Sequence, residues 1–463
     1  MFSETKGRTH VSLRAEPEHS HLATPGRHDT DPAIHAAPRA AVIDPYSTGA
    51  QIAGVLAERG VETVAVLANR APASIRPAQL NPSDYVHVHT YRGDVESSAR
   101  MLAALGVSRV ITGWDSGIYL ADRLARALGQ RGNDPLTSAL RCEPYAMAET
   151  LRAFGLAYPR TIAADNNRDA RRAAQFIGTW PVVVKPATSI GGARMTFARS
   201  MAEVDRAAAA VLASPDVSGH VNSAVLCQQY LTGTQFVINT VSRVGLHRLA
   251  EVWRDRRTST AGYRMIRDRM DLLAPNDPRI PGLYEYLSRC LTALGIDEGP
   301  AHSTVMLTDA GPMLIKIQAR IGGGDSVALM RAATGSSHAD AALQALLGEL
   351  RHSPGRQRAA LYPYSKPVSK LFLQAPRDAV LGPAEAIAAL LEIPTVAGLV
   401  HPLRPGTAVA ETVDVQSSPG TVYLIGRERK SVRAACDEVR RLEYTDLYTP
   451  VRALEPMAPA GAA

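Results

Sequence analysis

The chain has 463 residues, 46% hydrophobic and 21% charged, with a formal net charge of +7 and a pI near 9.3. It contains no run of about 18 apolar residues, and its N-terminus lacks an apolar leader core, so neither a membrane span nor secretion is expected. Its basic excess favours anionic ligands. No Lys/Arg-rich run with interleaved aromatics is present, so dedicated nucleic-acid binding is not expected.

Residues 1–38 mix His, Pro, Thr and charges without periodicity and read as a disordered tail; their five histidines read as solvated rather than metal-binding. Order begins with "RAAVIDPYSTGAQIAGVLAERGVETVAVLAN": a strand at 41–43, a helix entry at Ser47-Thr48-Gly49, and a second strand at 63–67. This is a βαβ unit with a parallel sheet. A further strand, "RVITG", leads into the helix "IYLADRLARALG", so residues 39–135 form a small α/β domain. Next comes a helix carrying Met147, Leu151 and Phe154.

The segment "PVVVKPATSIGGARMTFA" is predicted as strand, glycine-bearing turn and strand, with Lys185 closing the first strand and the turn at 189–192. "AVLCQQYLTGTQFVINTVS" gives another strand–turn–strand, and "AHSTVMLTDAGPMLIKIQAR" a hairpin turning at Asp309-Ala-Gly311. These elements fill residues 136–350. A C-terminal α/β domain over 351–463 starts near "SKPVSKLFLQA" and ends near the helix "SVRAACDEVRRLE". Cys142, Cys227, Cys290 and Cys436 show no CxxC or metal-ligand spacing and read as reduced thiols in a cytoplasmic protein.

Two places could carry chemistry. In "GPMLIKIQARIGGG", strand alternation puts Ile315, Ile317 and Ala319 on one face and Leu314, Lys316, Gln318 and Arg320 on the other. Three polar heads on one face suggest a pocket wall, and the cationic ones suit an anion. Counting outward from the turn pairs Thr304 with Lys316 and His302 with Gln318. The second place is Lys185, a strand-end lysine beside a flexible turn. An ammonium and free backbone amides are what a polyphosphate needs, although an ordinary solvated strand end reads the same way.

Taken in order, "VIDPYSTGAQIA", "GNDPLTSALR", "VVVKPATSIGG", "LCQQYLTGTQFVINTVS", "LGIDEGPAHSTVML" and "ARIGGGDSVALMRAATG" resemble the ATP-grasp superfamily. The resemblance is to its bacterial carboxylate–amine ligases related to amino-acid ligases, and runs from about residue 40 almost to the end. It implies an α/β and α+β protein: an N-terminal parallel α/β (pre-ATP-grasp) domain, a two-part core holding ATP, and a C-terminal α/β domain. The implied substrates are a nucleotide, a small carboxylate such as an amino acid, and an amine, coupled through an acyl phosphate. By the same resemblance Lys185 contacts phosphate, Gln228 and Leu231 lie where the adenine edge is read, and Gln235 lies where ribose hydroxyls are held. Arg320 is the implied clamp on the γ-phosphate or acyl phosphate, and glycines 322–324 allow close backbone approach. A homodimer or a protein partner is compatible with the group.

Several positions depart from the family's pattern. Glu is usual at both 304 and 316, where the carboxylates ligate Mg²⁺. Here these are Thr304 and Lys316. A unit-charge pair 4 Å apart is worth about 4 kcal/mol at an effective dielectric of about 20, so Lys316 reverses a contribution of that order. An ordinary two-metal site is therefore not expected, and Lys316 is expected to meet phosphate instead. Glu143-Pro144 stands where Asp-Lys is usual, and Gln229, Gln235 and Asn239 replace acids. Arg194 replaces a small residue in the phosphate turn. Two readings follow: a ligase whose cations substitute for metal charge, or a catalytically degenerate nucleotide-binding regulator or partner subunit.

Overall fold

A computed structural model describes residues 39–68, 80–187, 195–215, 221–259, 265–349 and 362–450. The tail at 1–38, the turn at 189–192 and Arg194 lie outside the described residues. The N-terminal unit is a four-stranded, wholly parallel sheet in the order His87–Thr90, Glu62–Leu67, Arg39–Ile43, Val107–Thr112. Its two central strands, Arg39–Ile43 and Glu62–Leu67, are rich in alanine and β-branched residues and buried on both faces, as parallel strands covered by helices must be. Asp44 and Ser47, just past the first strand, both take positive φ (50° and 54°). Strain of that kind in non-glycine residues persists only where surrounding contacts hold it. Here Asp44 accepts a bond from the Ala68 amide at 2.7 Å, and Ser47 Oγ one from the Gly324 amide at 2.9 Å.

A second, antiparallel four-stranded sheet runs Thr161–Ala164, Val225–Gln229, Val182–Pro186, Thr196–Ala198. Helices Asn167–Ile177 and Met201–Leu212 bury alanine and valine against it, forming a small lobe with its own core. Lys185 lies inside the strand Val182–Pro186, one residue short of its end.

The largest sheet has eight antiparallel strands: Gly311–Gln318, Gly299–Thr308, Thr234–Arg243, Leu246–Ser259, Met265–Leu272, Val368–Phe372, Thr421–Ile425 and Val396–Leu399. The C-terminal strands thus continue the same sheet. The main core lies against it and includes Phe236, Ile238, Val252, Leu287 and Leu291. Among the described residues, no helix is long and apolar enough to cross a membrane.

Two local expectations are corrected. Phe154 does not share the buried face of its helix: Pro144–Ala153 ends just before it, and its side chain is 64% exposed while Met147 and Leu151 are buried. Leu314 does not share a face with Lys316. A β-bulge shifts the register so that Thr304 pairs with Lys316 but Val305 with Leu314, which leaves Ile315 as the extra residue. A bulge inverts the alternation on its far side. Leu314 accordingly joins Ile317 in the core, while Lys316 stays on the polar face.

Candidate functional site

The site grows from that polar face. In antiparallel pairs, residues directly opposite each other point the same way. His302 pairs with Gln318 and Thr304 with Lys316. On the next strand Asn239 pairs with His302 and Gln235 with Met306, and beyond it Glu251 pairs with Asn239 and Asp255 with Gln235. Polar residues from Lys316 to Asp255 therefore share one face of the sheet, with Val237, Trp253 and Met306 set among them.

Lys185 faces it from the small lobe. Burial first and the Lys316 charge second push its ammonium down to about 8, so the two cations lie within electrostatic reach. Lys185 Nζ donates to Gln228 Oε1 at 2.9 Å, and Gln228 Nε2 donates to Thr161 Oγ1 at 2.8 Å. Both ends of the Gln228 amide are thus engaged within the sheet. Leu231 is half-buried in the connection between Gln229 and Thr234, where the chain passes from the small sheet to the large one. Gln235 Nε2 donates to Asp255 Oδ2 at 2.6 Å, and Asp255 also pairs with Arg257 and Arg267.

Arg320 is buried two residues past the end of its strand. Its Nε donates to Asp115 Oδ1 at 2.5 Å, one terminal nitrogen to Gln318 Oε1 at 2.7 Å, and the other to the Ile321 carbonyl at 2.7 Å. Gln318 in turn donates to the second oxygen of Asp115. Burial alone would raise the Asp115 pKa; the Arg320 and Lys316 charges outweigh it and hold the carboxyl below its usual range. For Lys316, burial lowers the pKa, Asp115 opposes that and Arg320 adds to it, with a net downward shift. Trp114 lies beneath the Arg320 guanidinium, 5.5 Å from ring centroid to Cζ.

At the other end of the face is a second charged cluster. Lys370 pairs with Asp325, and its Nζ sits 3.9 Å from the centroid of the Trp253 ring. Glu251 accepts from Asn239 Nδ2 (2.9 Å), Trp253 Nε1 (2.8 Å) and the His338 amide (2.9 Å). Because Asn239 gives its NH₂ to Glu251, its oxygen must accept from His302 Nδ1 at 2.8 Å. That fixes His302 with its proton on Nδ1 and a lone pair on Nε2. Burial and the Arg320 charge hold it neutral, well below the ordinary histidine range. His338 takes the opposite tautomer: Nε2 donates to the Thr240 carbonyl (3.0 Å) and Nδ1 accepts from the Gly322 amide (3.1 Å). Its pKa is pushed down to about 4 by burial.

The glycine loop fits between these clusters. A Cβ at Gly323 would lie 3.0 Å from the Trp114 ring, and one at Gly322 3.1 Å from both Asp325 Oδ2 and His302 Nδ1. These glycines therefore admit side chains of the chain itself. The Glu143-Pro144 position is also built into the fold: Pro144 opens its helix, and Glu143 accepts a bond from Tyr119.

Sequence reasoning did not find Asp115, Asp325, Glu251, Lys370 or His338. Asp115 carried a usable signal, since "GWDSG" lies just past the carboxyl end of a parallel strand, where α/β sites gather. Lys370 had none, because its partners come from strands about 100 residues or more away and from the glycine loop.

A model of the carbamoyl-phosphate synthase L chain ATP-binding domain matches residues 146–242. Dapdiamide A synthase of Enterobacter agglomerans is 28% identical over 365 residues, 77% of this chain and 84% of that protein. An L-amino acid ligase from Bacillus licheniformis superposes with a TM-score of 0.69 at 16% identity, over 89% of this chain and 98% of that one. A carboxyaminoimidazole ribonucleotide synthase from Aspergillus clavatus, complexed with ATP, superposes with a TM-score of 0.62 at 14% identity, over 88% and 98%. In its matched domain and in its fold the chain is similar to ATP-grasp proteins, among them one named as an L-amino acid ligase.

Proposed function

We propose that this chain is an ATP-grasp carboxylate–amine ligase-type protein that receives the nucleotide phosphates on side-chain cations rather than on a metal pair. The observation that carries this is that Lys185 on the small lobe lies within electrostatic reach of Lys316 on the large sheet, which in turn feels Arg320. A cleft that converges cations from two sheets suits a polyphosphate, because phosphoryl transfer asks mainly for positioning and charge stabilisation. The reaction it would serve begins with a carboxylate oxygen attacking the γ-phosphorus and ADP leaving. An amine nitrogen then attacks the acyl carbon, loses a proton, and phosphate leaves. An amino acid as the carboxylate is supported by the relatives named as dapdiamide A synthase and L-amino acid ligase.

Magnesium does not fit the residues present at the family's metal positions. The facing pair is Thr304 and Lys316, and a cation there would repel Mg²⁺. In this reading Lys185 and Lys316 hold phosphate charge directly, Gln235 and Leu231 border the nucleoside, and Arg320 is the clamp.

A second reading is a nucleotide-binding partner protein without ligase turnover. The observation favouring it is that every nitrogen of Arg320 already has an acceptor within the chain. Calorimetric titration with ATP, with and without Mg²⁺, followed by a phosphate-release assay over amino acids and amines, separates the two. Amino-acid-dependent release supports the ligase; binding without release supports the partner protein; no binding overturns both.

A further inference from the structure

We infer that Asp115 is a positioning residue that occupies the anion seat of Arg320, so that an incoming phosphoryl group must compete with the chain's own carboxylate. This rests on the reading of the cleft as a phosphate site and adds what sets its affinity. The seat consists of Arg320 Nε, the Gln318 amide and the nearby Lys316 ammonium, and Asp115 meets all three. Both of its oxygens are engaged, one by Arg320 and one by Gln318.

The carboxylate comes from a different part of the molecule. Asp115 follows the parallel strand Val107–Thr112 of the N-terminal sheet, whereas Arg320 and Gln318 belong to the large sheet, some 205 residues on. The contact is therefore a clasp between two units and not a feature of the hairpin itself. Its neighbours hold it in register: Trp114 packs under Arg320 and against Gly323, and Ser47 holds the Gly324 amide. The Asp115 side chain remains 18% exposed, so it is not sealed in. A partly exposed carboxylate can leave its partner when a more highly charged anion arrives, whereas a fully buried one is far costlier to unpair.

Competition of this kind makes a prediction that a purely structural role does not. Removing the Asp115 charge should raise anion affinity, whereas disrupting a structural contact would lower it. The test compares the full-length protein with Asp115→Asn, Asp115→Ser and Asp115→Glu, using titration calorimetry with inorganic tripolyphosphate, ATP and adenosine, all without divalent cations. Competition predicts that tripolyphosphate and ATP bind Asp115→Asn on the order of tenfold more tightly, since one opposing charge has left the seat. Adenosine, which lacks phosphate, should bind the parent and Asp115→Asn alike, and Asp115→Glu should restore the weaker polyphosphate binding. Asp115→Ser serves if Asp115→Asn does not fold, as judged by thermal melting.

Unchanged or weaker polyphosphate binding in a folded, charge-removed variant would overturn the inference, whatever the parent does with ATP. If tripolyphosphate tightens but neither protein binds ATP, the anion seat stands and the nucleotide reading falls. If the parent binds ATP and the variant gains nothing, the nucleotide reading stands and Asp115 is only structural.

Discussion

Two charged regions share the polar face of the large sheet, and they are built differently. Around Lys370 the charges are closed on themselves: one buried lysine faces Asp325, Glu251 lies close by, and the Trp253 ring covers the ammonium. Around Lys185 and Lys316 the nearest strong influence on one cation is burial and the next is the other cation. Asp115 offsets part of the charge at Lys316 from within the chain, and lysines perturbed by burial and a like charge cluster at functional sites. The first region therefore looks to stability and the second to a ligand.

The contrast can be broken most strongly at Lys370. Replacing it with Met leaves Asp325 and Glu251 facing each other without a cation, and removing one partner of a buried pair costs about 3–5 kcal/mol. Chemical denaturation should show a loss of that size; a loss below about 1 kcal/mol would mean the network relaxes and the region is not self-closed.

The double variant Thr304→Glu with Lys316→Glu acts on the other region. It should make nucleotide binding depend on Mg²⁺, with EDTA weakening ATP binding roughly tenfold or more, from the several kcal/mol gained by exchanging a cation for two carboxylates beside a divalent ion. Indifference to EDTA in a folded double variant would show that these positions do not face the phosphates.

The pH dependence sharpens the comparison further. Lys185 has its pKa lowered to about 8, so in the free protein its positive charge is lost as pH rises through that value. ATP affinity should fall between about pH 7 and 9, and Lys185→Arg, which stays charged, should flatten that slope. The stability effect has the opposite sign. Because the unfolded lysine holds its proton to higher pH than the folded one, stability gains from this group as pH rises above about 8. The smallest effect belongs to Ser337→Ala. It removes the capping box of helix His338–Leu346, which seats His338 under the glycine loop, and should cost about 1 kcal/mol by thermal melting with little change in ATP affinity.

Much of this architecture could be read from local pattern. The parallel sheet follows from buried β-branched strands separated by a helix, whereas plain counting out of the observed turn, where Thr308 faces Gly311, would set Thr304 opposite Ile315. The Ile315 bulge makes the expected pairs of Thr304 and His302 come out while the face of Leu314, on the turn side, does not, because a single extra residue leaves no mark in hydrophobic alternation shorter than the strand itself. Lys185, Lys316 and Arg320 stood out by residue type against an apolar background. Their partners did not: Asp115 and Lys370 reach the face from the N-terminal sheet and the far strands, and proximity across such distances is set by tertiary packing alone. Gln228 stood out too, but only the fold shows its amide engaged by Lys185 and Thr161.

The eight-stranded sheet takes in strands from residue 234 to residue 425, and among the described residues the small lobe pairs no strand with it. Mechanically the molecule is then a stiff slab with one light flap, joined through the connections at 154–160 and 230–233. Gly155 and Gly233 sit in those connections at φ +64° and +147°: the first closes the helix Pro144–Ala153, and a Cβ on the second would lie 2.2 Å from the Leu307 carbonyl oxygen. Lys185 is carried by the flap, while Lys316 and Arg320 stand on the slab. Bringing the flap closer to the slab would push like charges together, and an anion between them would relieve that repulsion. In those terms a nucleotide would be the latch as well as the cargo.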